Sequence, residues 1–329
     1  MSSNSEVTDP AGPDIWSQHY ALIMSIRQAV NQVLMGKEDV VADVMTAILA
    51  GGHVLLEDVP GVGKTTLGHA FAKVLGCSFR RIQFTSDLLP SDVIGVSVFH
   101  QEEREFEFRQ GPLFANVVLA DEINRTTPKT QSCLLEAMNE GQVSIDNQTH
   151  ALPSPFVVIA TQNPQDFHGT YPLPESQLDR FMVRLAIGYP QEGVERSILE
   201  QRTATLPVDA VVPLTDVGQM GALQSMVDAV RVDALVLDYL MSLVSATRTS
   251  PSISLGVSTR GALELQRACR ARALVCGRNY VLLDDVKHLA GPVLAHRIQL
   301  PGQWDVLTRG REQAEATIAE LLETLPVPV

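Results

Sequence analysis

The chain has 329 residues, 45% of them hydrophobic and 19% charged, with a net charge of −13 at pH 7. That length suggests about two domains, and the apolar share supports a sizeable core and excludes a disordered chain. The acidic balance repels phosphate backbones and argues against sequence-independent nucleic-acid binding, and no stretch reaches the roughly 18 apolar residues of a membrane span.

Residues 1–13, rich in Ser, Pro, Gly and Asp, are expected to form a flexible tail. Their opening, Met1-Ser-Ser-Asn-Ser-Glu6, has neither the basic region nor the apolar run of a signal peptide. Residues 14–50 read as helical, with a break at Gly36-Lys37. Val54–Leu56 is an apolar strand behind Gly51-Gly52, and it runs into Glu57-Asp-Val-Pro-Gly-Val-Gly-Lys-Thr-Thr66. A glycine-rich turn between a strand and a helix cradles phosphates with its backbone amides. Here Gly63 lets the backbone approach, Lys64 supplies charge for the β and γ phosphates, and the Thr65 hydroxyl is a ligand for Mg²⁺. The glycine expected five residues before Gly63 is replaced by Asp58. Gly61 is expected to take over part of the tight turning, and the Asp58 side chain to point away from the phosphates. Leu67, Ala70, Phe71 and Val74 then have helical spacing over Thr65–Leu75.

Arg80–Phe84 reads as a strand, and Gly95–Phe108 as a β-hairpin around the charged centre Gln101–Glu105. Val117–Ala120 is a buried strand that delivers Asp121 and Glu122 at its carboxyl end, where α/β sheets place ligands. Beside a phosphate loop, Asp121 would hold Mg²⁺ directly or through water, and Glu122 would orient and activate an attacking water. A helix over Pro128–Asn139 and a second hairpin, Gln142–Leu152, turning at Asp146-Asn147, follow. Strand Phe156–Thr161 ends near Asn163, which either hydrogen-bonds the attacking water or the γ phosphate, or opens a turn with Pro164. After a strand at Leu185–Ile187, the alternation gives way at Gly188-Tyr-Pro190 to helices over Val194–Thr203, Asp216–Val230, Asp233–Thr247, Arg260–Cys276 and Leu283–Arg297. The expected organisation is α/β: residues 14–188 form a parallel sheet covered by helices, and residues 189–329 a smaller helical domain. The four cysteines, Cys77, Cys133, Cys269 and Cys276, form no CxxC pair, which argues against zinc. Three of them are expected to be small core residues, and a reducing cytoplasm fits.

Asp121-Glu-Ile-Asn-Arg-Thr-Thr-Pro-Lys-Thr-Gln-Ser-Cys-Leu-Leu-Glu-Ala-Met138 resembles the acidic-strand signature of MoxR-type AAA+ ATPases. Phe84–Asp92, Ala160–Pro164, Tyr171–Phe181, Asp285-Val-Lys287 and His296-Arg-Ile298 carry the likeness over residues 20–300, approximately. The resemblance implies an AAA+ P-loop αβα sandwich with a helical lid, assembled as hexameric rings that bind ATP and Mg²⁺ between subunits. Lys64 and Thr65 match the Walker A positions, with Gly61, Val62, Gly63 and Thr66 completing the loop. Asp121 and Glu122 match Walker B, and Asn163 matches sensor 1. Gly36 and Lys37 lie where the family contacts adenine. Arg180 matches the arginine finger that reaches the neighbouring subunit's γ phosphate, with Arg125 and Arg184 as rivals. Arg260 matches sensor 2 and would contact phosphate in cis. The two hairpins would face the central pore or a partner.

By the same resemblance, ATP hydrolysis would remodel, activate or mature a partner protein, with metal-cofactor insertion typical of the group. The partner would be a von Willebrand factor A domain protein; this chain has no Asp-x-Ser-x-Ser run of its own. An ATP-binding scaffold with little turnover is the alternative. A nucleic-acid motor fits the acidic charge poorly.

Overall fold

The computed structural model describes residues 13–102, 104–163, 170–200, 208–301 and 307–327. The expected tail up to residue 12, and the end of the helix expected over Val194–Thr203, lie outside these residues. Helices α1 (Pro13–Val33) and α2 (Glu38–Leu49) lead into β1 (Val54–Glu57), α3 (Lys64–Val74) and β2 (Phe79–Gln83). A short α4 (Pro90–Ile94) precedes the hairpin β3 (Gly95–His100) and β4 (Glu105–Gln110), then β5 (Val117–Asp121) and α5 (Pro128–Glu140). The second hairpin, β6 (Gln142–Ile145) and β7 (Gln148–Ala151), is followed by β8 (Val157–Gln162), the single turn α6 (Glu175–Leu178) and β9 (Val183–Leu185). Helices α7 (Glu192–Glu200), α8 (Val217–Ala229), α9 (Ala234–Thr249), α10 (Thr259–Val275), α11 (Leu283–Leu294) and α12 (Leu307–Thr324) complete the chain.

Five strands form one parallel sheet in the order β2-β5-β8-β1-β9. Every residue of β1, β5, β8 and β9 is buried. Their near-continuous apolar runs are what a sheet covered on both faces demands. Val54, Leu56, Leu119 and Ile159 face the core built with α1, α2, α3 and the later helices. Leu55, Val118, Ala120 and Val158 face a second core with Leu134, Leu135 and Phe181. At the sheet edge, β2 buries only Ile82, leaving Arg81 and Gln83 exposed on the opposite side.

The second hairpin turns on Asp146 and Asn147, at φ 50° and 63°, the left-handed pair that a two-residue type I′ turn requires. His53 sits under the amino end of β1. Its Nδ1 accepts from the Val158 N–H at 3.0 Å, so the ring proton is on Nε2, 3.1 Å from the Met138 carbonyl. Burial pushes its pKa down to about 4 and keeps the ring neutral.

Several expectations need correction. The last strand is Val183–Leu185, because those residues pair with Val54–Leu56, while the Ile187 carbonyl accepts from Lys37 Nζ at 2.6 Å, outside the ladder. The helix expected to reach Arg297 ends at Leu294 and tightens into a 3-10 turn over Ala295–Arg297. Only Cys269 is fully buried; Cys77 and Cys133 are half-buried and Cys276 is exposed. Sequence reasoning did not anticipate α4 or α12, although Ala314 and Ile318 of α12 are buried one helical turn apart. No helix among the described residues is long and apolar enough to cross a membrane.

Glu57, at the end of β1, accepts from Arg184 Nη2 at 2.6 Å, and both side chains are under one-tenth exposed. Arg311 of α12 lies 3.7 Å from the same carboxylate oxygen. Arg184→Met strands Glu57 with only that longer contact and should destabilise the chain by about 3 kcal/mol. Arg184→Met/Glu57→Leu should recover most of the loss, as read from urea unfolding midpoints.

Candidate active site

The turn after β1 carries two glycines in the left-handed region, Gly61 at φ 89° and Gly63 at φ 97°. A side chain is strained at either position. Gly63 is the N-cap of α3, so the first amides of that helix have no intrahelical acceptor and point outward as an anion site. Asp58 does not intrude. Its carboxylate accepts from the Val59 and Gly188 N–H groups, which turns it toward the end of β9. Its main-chain oxygen instead receives Lys64 Nζ at 2.7 Å. Burial pulls the Lys64 pKa down, opposed by Asp121, Asp58 and Glu122.

Pro60, Gly61, Gly63, Lys64, Thr65 and Thr66 line a cavity of about 360 Å³ together with Arg81, Gln83, Asp121, Glu122 and Asn163. Three parallel strands thus deliver the phosphate loop, the acidic pair and Asn163 to one edge. Val62 and Gly36 are not among the lining residues. The Val62 side chain packs against the core. Gly36 turns the chain between α1 and α2 at φ 71°, where a Cβ would meet Val194 Cγ1 at 3.0 Å.

Each acidic residue is held by partners that sequence reasoning missed. Asp121 Oδ2 accepts from Arg81 Nη2 at 2.6 Å and Nε at 3.1 Å. Its Oδ1 accepts from Thr161 Oγ1 at 2.6 Å. That hydroxyl also accepts from the Glu122 N–H at 2.9 Å. The Glu122 backbone is left-handed, at φ 57°, a conformation that costs a non-glycine residue roughly 1 kcal/mol or more. Its Oε2 accepts from Gln83 Nε2 at 2.8 Å and Arg125 Nη1 at 3.2 Å. The available signal was alternation: Arg81 and Gln83 share one face of a strand whose other face holds Ile82.

The remaining arginines lie elsewhere. Arg180 Nη1 donates to the Leu135 carbonyl at 2.7 Å, and Arg260 Nη2 to Asn139 Oδ1 at 2.8 Å. Their partners are one turn apart on α5, toward its carboxyl end. That helix descends from the phosphate edge, so both guanidiniums sit at the amino edge of the sheet. Arg260, expected to contact phosphate in cis, is bonded here to Asn139 and is not among the residues lining the cavity. The start of α10 packs on Arg297, with a Cβ at Gly261 falling 3.0 Å from Arg297 Cδ. Arg297 in turn is bonded to the turn before β9, through Asp179 Oδ1 at 2.8 Å and the Phe181 carbonyl at 2.8 Å. Of the rival arginines, Arg184 is locked on Glu57, while Arg125 borders the cavity through Glu122.

Thr65 and Asp121 present oxygen donors to one cavity, the hard-ligand chemistry that suits Mg²⁺. The loop amides and Lys64 suit a polyphosphate.

Comparison with known proteins agrees with this geometry. The ATPase family associated with various cellular activities (AAA) matches residues 53–183, and an AAA lid domain matches residues 245–321. The chain is 40% identical over 308 residues to the chaperone MoxR1 of Mycobacterium tuberculosis, covering 91% of this chain and 80% of that one. It is 48% identical to YeaC of Bacillus subtilis, covering 91% and 93%, and 30% identical to MoxR of Paracoccus denitrificans, covering 95% and 98%. A solved structure of an ATPase candidate from Cytophaga hutchinsonii superposes with a TM-score of 0.85 at 35% identity, covering 95% of this chain and 97% of that one. The sheet order, the phosphate loop, the acidic strand end and these relatives lead to one assignment: the chain belongs to the MoxR-type AAA+ ATPases, with an αβα core and a helical lid.

Proposed function

We propose that this chain hydrolyses ATP to ADP and phosphate and uses the cycle to remodel, activate or mature a partner protein. The observation that carries this reading is the convergence of Lys64, Thr65, Asp121, Glu122 and Asn163 on one cavity. In this reading the amides of Gly61, Val62, Gly63, Lys64, Thr65 and Thr66 hold the phosphates, and Lys64 neutralises the β and γ groups. Thr65 and Asp121 would hold Mg²⁺. Bound there, the metal would draw charge off the transferred phosphoryl group. Glu122 orients and deprotonates the attacking water, and Asn163 fixes that water or the γ phosphate. Gly36 would shape the adenine side from behind the loop rather than line it.

Arg180 and Arg260 act in this proposal from a neighbouring copy. They lie at the amino edge of the sheet while the phosphate loop lies at the carboxyl edge. Contact between opposite edges is head-to-tail, and such contacts form a ring when the rotation between copies closes. A hexameric ring is the assembly that the family resemblance implies. The β3–β4 hairpin exposes Phe99 at 48% and Phe106 at 73%, with ring centroids 5.1 Å apart, and we assign partner contact to it. The partner class remains a protein with a von Willebrand factor A domain, and metal-cofactor insertion is one form its maturation takes. The compartment is the cytoplasm, where ATP is supplied and the thiols stay reduced.

Glu122→Gln should lower steady-state turnover about a hundredfold or more while ATP binding is retained, since a positioned base contributes on that scale. Turnover absent from both chains, with ATP bound, would favour the scaffold reading. Undiminished turnover in the variant would remove Glu122 from the chemistry.

Mixing complementary variants tests the arginines. Lys64→Ala keeps both arginines, and Arg180→Ala or Arg260→Ala keeps the loop. Each variant alone should be inactive, and a mixture should regain ATPase activity at interfaces that combine the intact halves. An arginine that acts within its own subunit gives no recovery.

A further inference from the structure

Arg81 and Asp121 form an ion pair whose two members have unequal needs. The Asp121 side chain is 12% exposed, whereas that of Arg81 is 49% exposed. A guanidinium that swings into water keeps its solvation, but a nearly buried carboxylate left without a cation does not. Thr161 cannot replace the cation. Its hydroxyl donates to Asp121 Oδ1 and accepts from the Glu122 N–H, so its orientation is fixed by both bonds. The exchangeable oxygen is Oδ2, and Arg81 holds it with both Nε and Nη2. Gln83 Oε1 steadies the same Nη2 at 2.8 Å.

Arg81 reaches this position from the sheet edge. Its backbone is in register with Leu119, two residues before Asp121, so its side chain runs along the strand direction to the carboxylate. It also lines the cavity, where a polyphosphate offers it another anionic partner.

We propose that Arg81 is a latch on the cation position: it competes with a divalent metal for Asp121, weakens binding of the bare ion, and yields to the ion that arrives with a nucleotide. This rests on the assignment of Asp121 as a metal-binding residue. A bare Mg²⁺ gains one carboxylate here, must displace a two-pronged guanidinium, and dehydrates reluctantly. A metal–nucleotide complex brings phosphates that engage the loop amides and Lys64, and these contacts offset the displacement. The pocket therefore favours the metal that arrives with a nucleotide over the bare ion.

The test is Mn²⁺ binding to the full, nucleotide-free chain by electron paramagnetic resonance, for the wild type, Arg81→Gln and Arg81→Met. Arg81 is half exposed on an edge strand and methionine preserves its stem, but either change leaves the nearly buried Asp121 without its cation, so both variants should melt below the wild type while staying folded at the titration temperature, as circular dichroism checks. Both should bind Mn²⁺ about two- to fivefold more tightly, the equilibrium equivalent of one partly exposed ion pair. Adding Asp121→Asn should abolish the gain. Unchanged affinity in the folded Arg81 variants, or a gain that survives Asp121→Asn, overturns the latch. The same titration with ADP present reads the underlying assignment separately. If Asp121→Asn leaves Mn²⁺–ADP binding unchanged, the metal role of Asp121 fails, whatever Arg81 does.

Discussion

Parallel alignment of the sheet strands puts the carboxyl ends of β1, β5 and β8 on one edge and their amino ends on the other. The first edge collects the phosphate loop, the acidic pair and Asn163. The second receives His53, the turn before β9, and the end of α5. No single strand makes the site; each contributes one or two groups where its hydrogen-bonded register runs out. This is why the buried apolar runs matter to the chemistry. A one-residue slip of β5 against β8 would invert the faces of Val118 and Leu119 and misplace Asp121 relative to Thr161.

Arg297 is a principal tie between the helical part and the amino edge, beside His296 and Arg260, which bond the Phe181 carbonyl and Asn139 Oδ1. Arg297 is almost wholly buried and donates to Asp179 Oδ1, to the Phe181 carbonyl at 2.8 Å, to the Met182 carbonyl at 3.2 Å and to the Val293 carbonyl. Burial pulls its pKa down, and Asp179 is the principal group that holds it up. A guanidinium taken out of water needs this many acceptors. Asp179–Met182 is also the turn that carries Arg180. Any displacement of α11 against the sheet must break these bonds or take the turn with it. The Leu-Asp-Arg-Phe and His-Arg-Ile segments, distant in sequence, are two halves of one contact.

The parts of the site legible in the sequence are those fixed by local rules. Gly61 and Gly63 announce a positive-φ turn, Asp146-Asn147 announces a type I′ hairpin, and four apolar residues before Asp121 announce a buried strand. What escaped depends on which strands become neighbours. Arg81 and Gln83 gain meaning only when β2 lies beside β5, an adjacency that residue spacing does not encode. Thr161 is one polar residue at the end of an apolar strand until its register with Leu56 and its bonds to Asp121 and Glu122 are seen. The surroundings of Arg260 depend on adjacency too. A helix start looks ready to meet phosphate, but the start of this one packs on Arg297 and its arginine bonds Asn139. The cysteines erred differently: a thiol in a helical stretch is core only if that face of the helix is covered, and Cys276 caps α10 in the open.

The overall charge of −13 and the affinity expected for a polyanion are compatible because they act over different lengths. Exposed charges more than about 10 Å apart are largely screened at ordinary ionic strength. A triphosphate in the cavity meets Lys64, the amides at the start of α3, and an acidic pair already matched by Arg81 and Arg125. The local field is thus set by a few fixed donors, and the acidic surface beyond contributes little. A nucleic-acid backbone would have to lie across many screening lengths of that surface, and a cation at one loop does not compensate repulsion spread along it. In the proposed reading, a compact, highly charged nucleotide and an acidic surface that disfavours an extended phosphate polymer are thus compatible in one chain.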